Sequence, residues 1–477
     1  MMAAHTLSRL LLCAFVLAAA PAFAREVPEA EPFTDGVRGI AAERLSPDFW
    51  IERLREPERV VLTRSEIDAR NARLLQVDPS MHDLRRLPAT LRGEQVAEWI
   101  TGLADAPTRT LYDVAGKPLS AQALAEIVAN RDLAAIPASL PTRHGLVVAR
   151  AALRAFPTEQ RVFSEAGDRD IDRFQESALF PGTPVVPLHE SRDRQWLFVL
   201  SPRYAAWIAR DRVAVGTAAE VFGYVDRAPY RIVTAATAHT VYTPEQPALS
   251  RLQLDMGLRL PLVEAPADGQ VNGQHAYASH VVELPLRRAD GRLAFASALL
   301  PASADSAPDY LPLTRANLVR QSFKFLGERY GWGHAYDARD CSGFVSEVYR
   351  SMGVELPRNT RDQAVSPALD KRRFDAGDDH DARLAAARAL DVGDLVYIPG
   401  HVMMVIGQID GAPWVIHDTT GIGYLGADGQ LERDRLNGVS VTPLLPLRAS
   451  REHAYIDRMT SVVRIRPNPA TESPTTP

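Results

Sequence analysis

Cysteine is almost absent from this chain, which has only two in 477 residues, Cys13 and Cys341. Cys13 lies within a predicted secretory signal, residues 1–24, so the mature chain would keep a single thiol. A single thiol excludes an internal disulfide in an exported protein. Cys341 is therefore expected to be either a free reactive thiol or a buried inert one, and composition alone favours neither.

The predicted signal has a charged start, an apolar middle and a cleavage site. Arg9 supplies the charge, residues 10–20 are apolar, and residues 22–24 form a small-x-small cleavage site. The apolar run is shorter than the roughly 20 residues that span a bilayer. A lipoprotein needs a small side chain before its cysteine, and a leucine precedes Cys13. We therefore expect a periplasmic or secreted protein without a membrane anchor.

Neither sign of charge is in large excess. The chain has 54 Lys and Arg against 59 Asp and Glu, a net charge of −5, so no basic excess points to a nucleic-acid partner. Apolar residues make up 46% and charged residues 24%, which is ordinary globular composition and excludes a wholly disordered or fibrous chain. The sequence predicts no cofactor.

The pattern along the chain predicts several domains. Residues 25–141 are expected to be mostly helical and irregular. Residues 142–229 and 230–311 are each expected to form a small β-barrel, because short β-branched runs alternate with turn residues there. Residues 312–467 predict an α+β domain in which helices precede an antiparallel sheet. The Pro/Thr/Ser-rich tail, residues 468–477, is expected to be disordered.

The segment around Cys341 carries the strongest chemical signal. Asp340 is a predicted N-cap, which would place Cys341 in the first turn of a helix. The helix dipole and the free backbone N–H groups there favour an anion, so the sequence predicts a reactive thiolate. Gly343 is expected to keep the surface beside the sulfur open.

Two histidines are the candidate partners of this thiol. His401 follows a Pro-Gly turn at the start of a predicted strand, from which it could face a helix N-terminus across a cleft and act as the base. His417 lies on the next predicted strand. It is the candidate third member, which would hold the tautomer of His401.

The expected hairpin raises a difficulty for His417. A two-residue Asp-Gly turn at 410–411 would pair Met404 with His417 and place His417 on the face opposite His401. A bulge would restore His417 to the His401 face. Under the simple register Asp418 would orient His401 instead. A metal site made of His401, His417 and Asp418 is a further alternative, although its spacing matches no recognised zinc pattern.

These residues resemble the catalytic core of the NlpC-type cell-wall cysteine peptidases, a branch of the papain-like fold. The family pattern is Tyr-x-Trp-Gly-Gly, Asp-Cys-Ser-Gly-Phe, Leu-Pro-Arg with a nearby Ser or Thr, Gly-Asp-Leu, His-Val and a polar residue on the next strand. The matching segments occur here in that order, at residues 330–333, 340–344, 356–360, 393–395, 401–402 and His417. His334 departs from the pattern, which usually has a second glycine there.

The layout also resembles a subgroup in which two bacterial SH3-like barrels precede the catalytic domain. The resemblance implies that Cys341, His401 and His417 are catalytic. It implies hydrolysis of the bond from γ-D-glutamate to meso-diaminopimelate or lysine, with peptidoglycan stem peptides or murein fragments as substrates. No metal is part of this mechanism.

Further roles in substrate binding follow from the same resemblance. Asp340 and Ser342 would contact the γ-D-Glu residue and the amine end of the substrate, and Tyr330 would assist the oxyanion. The first barrel would select a free N-terminal L-Ala, with Glu176 and Tyr204 binding its amine. A solvated Glu176 and a Tyr204 in the barrel core are the alternatives. The implied substrate-binding set is Tyr330, Asp340, Ser342, Thr360, Glu176 and Tyr204.

Two other functions stay open at this point. One is a different acyl reaction on the same fold, either cleavage of N-acetylmuramoyl-L-alanine by an amidase or formation of a thioester by an acyltransferase. The other is a cell-wall-binding module whose catalytic domain is inactive, which the presence of Cys341, His401 and His417 disfavours.

Overall fold

The computed structural model describes residues 40–466 of the chain. The predicted signal, residues 1–24, and the predicted tail, residues 468–477, fall outside the described residues. Helices and strands are both abundant, as predicted for a multidomain chain. None of the helices between residues 40 and 466 combines the length and the apolar character that a membrane span requires.

The N-terminal segment, residues 40–141, contains four α-helices and three short strands. Helix α2 begins at a capping box in which the side chains of Thr63 and Glu66 each bind the backbone N–H of the other residue. The elements are α1 (Pro47–Ile51), β1 (Val60–Leu62), α2 (Arg64–Val77), β2 (Thr90–Arg92), α3 (Gly93–Leu103), α4 (Ala121–Ala129) and β3 (Ser139–Pro141).

The first β module follows. Its strands form one antiparallel sheet in the order β10-β4-β7-β8-β9-β5-β6. The elements are β4 (His144–Val147), β5 (Ala151–Arg154), β6 (Gln175–Leu179), β7 (Pro184–Glu190), β8 (Trp196–Leu200), β9 (Ala205–Ala209), β10 (Val213–Gly216) and helix α5 (Ala218–Asp226).

A second β module occupies residues 230–307. It consists of small antiparallel sheets, of which the longest is the hairpin of β17 and β18. Its strands are β11 (Tyr230–Val233), β12 (Thr237–His239), β13 (Gln253–Asp255), β14 (Arg259–Pro261), β15 (Gln270–Val271), β16 (Gln274–His275), β17 (Ser279–Arg287), β18 (Leu293–Pro301) and β19 (Ser306–Ala307).

The C-terminal unit has the predicted α+β order, with helices ahead of an antiparallel sheet. The sheet order is β21-β28-β22-β23-β24-β27. The elements are β20 (Leu313–Thr314), α6 (Arg315–Phe323), α7 (Cys341–Arg350), α8 (Thr360–Val365), β21 (Asp370–Arg373), α9 (His380–Arg388), β22 (Leu395–Ile398), β23 (His401–Ile409), β24 (Ala412–Thr419), β25 (Ile422–Leu425), β26 (Leu431–Asp434), β27 (Gly438–Pro443) and β28 (Ser461–Arg464).

The sheet of the C-terminal unit is buried on both faces. Helix α7 packs on one face, where Phe344 and Val348 meet Val402 and Met404 of β23 in one apolar core. On the other face, Ala387 of α9 belongs to a second core. Because α7 is anchored along its length, its first turn is held rigidly at the edge of the sheet.

The N-terminal segment packs on both the C-terminal unit and the first β module. Trp50 of α1 is 1% exposed and joins the core beneath α7. From α2, the Asn71 side chain donates a 2.8 Å hydrogen bond to the Gly353 carbonyl just beyond the end of α7. Ile100 of α3 packs instead with Trp207 of β9. The N-terminal segment therefore contacts both the C-terminal unit and the first β module and holds them together.

The hairpin of β23 and β24 contains a bulge. Its turn at 410–411 is the predicted one, and both turn residues have positive φ. Beyond the turn the register shifts between Val405 and Gly407, because Ile406 is an extra residue on β23. A Cβ at Gly407 would lie 2.8 Å from Cε3 of Trp50, so the N-terminal segment packs directly against the bulge.

The bulge decides which face of the sheet carries His417. Met404 lies opposite Ile416, so the simple register that pairs Met404 with His417 is wrong. Side chains alternate along a strand. His417 therefore shares a face with His401, and Asp418 points to the face on which α7 packs.

Candidate active site

The site begins at the first turn of α7. Asp340 is its N-cap, as predicted, since its Oδ1 accepts a 2.8 Å hydrogen bond from the Gly343 N–H. Cys341 is the first residue of the helix, and its side chain is buried, with 5% exposure. Its Sγ lies 3.8 Å from the hydroxyl oxygen of Thr360 at the start of α8.

The surroundings of Cys341 oppose ionisation of its thiol. Burial, and then the negative charge of Asp340, raise its pKa to about 12, although hydrogen bonds from the Val402 N–H and Thr360 favour the thiolate. The sequence predicts a resting thiolate at the helix N-terminus, and burial of the sulfur opposes that state.

The two predicted histidines are brought together. Nε2 of His401 lies 2.8 Å from Nδ1 of His417, and Nε2 of His417 lies 2.9 Å from the hydroxyl oxygen of Thr442. Burial lowers the pKa of His401 to about 4 and that of His417 well below its ordinary value. The hydrogen bond from the Val402 N–H to the sulfur of Cys341 places the start of β23, where His401 lies, beside the thiol.

Asp418 does not join the histidines. Its side chain is fully buried, and among residues 40–466 neither carboxyl oxygen has a hydrogen-bond partner. Burial, and then the charges of Asp340 and Glu328, raise its pKa well above the ordinary value. Asp418 thus does not orient His401. Across residues 40–466, no three His, Cys, Asp or Glu side chains are grouped as metal ligands would be.

Tyr330 lies close to the sulfur. The tyrosine is buried, and its pKa is raised by burial and then by the nearby Cys341 and Asp340. Its backbone N–H donates a 3.0 Å hydrogen bond to the Asn437 carbonyl, which fixes the strand-like segment ahead of the nucleophile.

Arg358 connects the residues on either side of Cys341, although its role was not predicted. Nη1 donates to Asp340 Oδ1 at 3.2 Å and to Ser342 Oγ at 2.9 Å, while Nη2 donates to Asp340 Oδ2 at 2.8 Å. Nε donates to Ser177 Oγ of β6 at 2.6 Å. Although burial opposes ionisation, the Arg358 charge lowers the pKa of Asp340 to about 2. The Leu-Pro-Arg motif was the available signal for this residue.

The first β module contributes Glu176 and Tyr204 to the same region. The Tyr204 hydroxyl donates a 2.5 Å hydrogen bond to Glu176 Oε2. Burial raises the pKa of Glu176, even though Tyr204 and then Arg358 act to lower it. Tyr204 is also hydrogen-bonded to the side chain of Asn359, the residue before Thr360. Glu176 is therefore not a solvated charge, and Tyr204 is not confined to the barrel core.

Strand β6 is held against the C-terminal unit by hydrogen bonds from side chains to backbone carbonyls. The Gln175 side chain donates a 2.7 Å hydrogen bond to the Gly333 carbonyl, and the Trp332 ring N–H donates to the Gln175 carbonyl at 3.0 Å. Gly333 has a φ of +58°, and a Cβ there would lie 3.0 Å from the backbone of Gln175 and Glu176. This close contact between Gly333 and β6 places Glu176 beside the C-terminal unit.

Comparison with known proteins identifies two parts of the chain. Residues 327–440 match the NlpC/P60 family, and residues 161–209 match the SH3 domain of SH3b1 type. A curated gamma-D-glutamyl-L-lysine dipeptidyl-peptidase from Bacillus cereus is 28% identical over 181 residues, which are 37% of this chain and 48% of that protein. The match thus spans about half of the length of this relative.

One solved structure extends the likeness in fold to most of the chain. An NlpC/P60 endopeptidase from Photobacterium damselae subsp. piscicida aligns with a TM-score of 0.69 and 16% identity, over 87% of this chain and 96% of that one. An NlpC/P60 family protein from Bacillus cereus aligns with a TM-score of 0.45 and 19% identity, over 68% of this chain and 100% of that one. This chain is thus a multidomain protein that carries an SH3 domain of the SH3b1 type and a C-terminal, papain-like NlpC/P60 domain.

Proposed function

We propose that this protein is a cysteine endopeptidase that cleaves the bond between γ-D-glutamate and the diamino acid of peptidoglycan stem peptides. The observation that carries the proposal is the placement of Cys341 at the start of α7 beside β23, whose first residue, His401, is hydrogen-bonded to His417. The Bacillus cereus relative is named for the γ-D-glutamyl-L-lysine linkage. The diamino acid here is meso-diaminopimelate or lysine.

Nucleophile activation starts from a neutral thiol and a neutral imidazole. Nδ1 of His401 takes the proton from Cys341 as Sγ attacks the γ-glutamyl carbonyl carbon. Nδ1 can do so only if the hydrogen of the neutral ring is on Nε2, where it is donated to Nδ1 of His417. His417 then carries its own hydrogen on Nε2 and donates it to the Thr442 oxygen. This direction of donation keeps His401 in the basic tautomer.

The later steps use groups already at the helix terminus. The Cys341 backbone N–H, which has no partner within the first turn of a helix, and the Tyr330 hydroxyl stabilise the oxyanion. The His401 imidazolium gives its proton to the leaving amine of the diamino acid, so the C–N bond breaks and a thioester to Cys341 remains. Water then attacks the thioester with His401 as base, which releases the γ-glutamyl carboxylate and restores the thiol.

Substrate selection rests on the acidic end of the cleft. Asp340 is paired with Arg358, whose charge also acts on Glu176, and the Tyr204 hydroxyl donates a hydrogen bond to Glu176. Two carboxylates suit the ammonium group of a free N-terminal L-Ala, and the hydroxyls of Ser342 and Thr360 suit the glutamyl residue. The substrates are therefore murein fragments whose L-Ala amine is no longer joined to glycan. The reaction takes place in the periplasm or outside the cell, after removal of residues 1–24.

Incubation of the purified protein with L-Ala-γ-D-Glu-meso-diaminopimelate tests the proposal. Mass spectrometry should detect L-Ala-γ-D-Glu and free diaminopimelate. The Cys341→Ala variant should release neither product, and Cys341→Ser is the matched variant that replaces the thiol with a hydroxyl at the same place. Full activity of Cys341→Ala would reject the nucleophile.

A glycan-linked stem peptide tests the competing functions. An amidase would release the whole stem peptide from N-acetylmuramic acid. A binding module would sediment with isolated cell walls and release nothing from either substrate. Either result in place of dipeptide release would overturn the proposed endopeptidase.

A further inference from the structure

The loop that follows Tyr330 has an unusual backbone. Within residues 332–337, Gly333, His334, Tyr336 and Asp337 all have positive φ, with values of 58°, 63°, 59° and 56°. Side chains other than glycine rarely adopt this left-handed conformation, and they keep it only where the surrounding structure holds them. His334 is the one of the three non-glycine residues that is fully enclosed, with 4% exposure.

The ring of His334 has a defined hydrogen-bonding direction. Its Nδ1 lies 2.8 Å from Nη2 of Arg358, and its Nε2 lies 3.4 Å from Oε1 of Glu347. A guanidinium only donates, so Nδ1 is the acceptor and the ring hydrogen is on Nε2, toward the carboxylate. Burial, and then the Arg358 charge, lower the pKa of His334 well below its ordinary value, so the ring is neutral.

The same ring packs against the start of α7. A Cβ at Gly343 would lie 2.3 Å from Cε1 of His334, so the space beside this glycine is filled by the imidazole. The sequence suggested that Gly343 leaves the surface beside the sulfur open. In the structure the imidazole of His334 fills this space instead. The Phe180 ring packs edge-to-face with the imidazole, with the ring centroids 5.7 Å apart.

We propose that His334 is a positioning residue for substrate recognition, which holds the Arg358 guanidinium against Asp340 and Ser342. The inference rests on the proposed function, in which those two residues meet the amine end of the substrate. Arg358 Nη2 donates to His334 and Asp340, Nη1 donates to Asp340 and Ser342, and Nε donates to Ser177. Loss of the imidazole opens a space next to Nη2 into which the guanidinium can turn.

Two substitutions distinguish the effect of losing the Nδ1 acceptor from the effect of relieving the strained backbone at residue 334. His334→Gly relieves the left-handed conformation but removes the acceptor and the ring. His334→Asn keeps an oxygen near the position of Nδ1, and asparagine tolerates positive φ better than most residues. We expect His334→Gly to raise the KM for the free tripeptide about tenfold with little change in kcat, because one hydrogen bond to a charged group is lost. His334→Asn should restore most of the affinity.

A second substrate distinguishes a role in recognition of the amine from a purely structural role, which would affect both substrates equally. The ratio of kcat/KM for the free tripeptide to that for its N-acetylated form should fall about tenfold in His334→Gly and stay near the wild-type ratio in His334→Asn. An unchanged ratio in His334→Gly would overturn the proposal. So would an equal loss of kcat on both substrates, since that indicates general damage to the fold.

Crystal structures of the two variants make the test independent of activity. Arg358 should leave Ser342 and one oxygen of Asp340 in His334→Gly and keep both contacts in His334→Asn. Retention of all these contacts in His334→Gly would overturn the positioning role, whatever the kinetics. A wild-type protein that does not cleave the tripeptide would instead overturn the proposed function, and the crystallographic comparison would still decide the role of His334.

Discussion

The hydroxyl oxygen of Thr442 lies 2.9 Å from Nε2 of His417, at the end of a hydrogen-bonded row that leads to His401. If this oxygen accepts from His417, the tautomers of both rings are fixed in the direction that leaves Nδ1 of His401 basic. Thr442→Val removes the acceptor, and we expect kcat to fall about tenfold. Thr442→Ser keeps the hydroxyl and should retain most of the activity. Wild-type turnover by Thr442→Val would show that Thr442 does not set the tautomer.

Alkylation of Cys341 should speed up with rising pH. The thiolate is the reactive form, and burial together with Asp340 raises the pKa of this thiol to about 12. The rate with iodoacetamide should therefore increase about tenfold per pH unit from neutrality into the alkaline range. Mass spectrometry can follow the reaction in a chain that lacks residues 1–24, since Cys341 is then its single cysteine. A plateau at neutral pH would indicate a resting thiolate–imidazolium pair and contradict the neutral pair.

Glu176→Gln should weaken the binding of substrates with a free amine. The variant keeps the size of the side chain but loses the charge that attracts the ammonium group, so KM for the free tripeptide should rise about tenfold or more. KM for the N-acetylated peptide should change little. Tyr204→Phe, which keeps the ring and removes the hydrogen bond to Glu176, should show a smaller effect in the same direction.

Acid should weaken free-amine binding in the wild type for the same reason. Burial raises the pKa of Glu176, so its carboxylate is lost at a higher pH than an exposed glutamate would be. KM for the free tripeptide should therefore rise as the pH falls through this raised pKa, and the rise should be absent in Glu176→Gln. The same pH dependence in both proteins would assign it to another group.

Asp418→Asn should stabilise the protein more at alkaline than at acid pH. Asp418 keeps its proton in the folded protein because burial raises its pKa, whereas it ionises in the unfolded chain. The folded state thus binds more protons, and stability falls as pH rises above the ordinary aspartate pKa of about 4, by at most ~1.4 kcal/mol per pH unit. Asparagine cannot ionise. Thermal unfolding at about pH 5 and about pH 8 should show the gain from the variant increasing with pH. An equal gain at both values would contradict a protonated Asp418.

Short segments of sequence were sufficient to predict the features that form between residues a few positions apart. Asp340 caps α7 because its side chain reaches the N–H of Gly343 three positions later, and the Asp-Gly pair at 410–411 makes the expected turn. The choice of Cys341, His401 and His417 likewise depended on short motifs. The structure brings the two histidines together and places the start of β23 beside the sulfur.

The register of His417 could not be predicted from the hairpin alone. The shift between Val405 and Gly407 lies against Trp50, which is distant in sequence and belongs to the N-terminal segment. Only the packed structure shows that the two meet.

The pKa of Cys341 could not be predicted from the helix N-terminus alone. The helix N-terminus was visible in the sequence, but the depth of burial of the sulfur was not. Burial and the negative charge of Asp340 both raise the pKa of the thiol. Short motifs therefore supplied the candidate groups but not the burial that affects their ionisation.

The hydrogen bond between Arg358 and Ser177 joins the two parts of the chain at the site itself. A barrel exchanged by recombination for one without this serine would leave a buried guanidinium donor unsatisfied next to Asp340. Exchange of the first β module alone would therefore disturb the surroundings of Cys341, so the module and the C-terminal unit form one structural unit at the site.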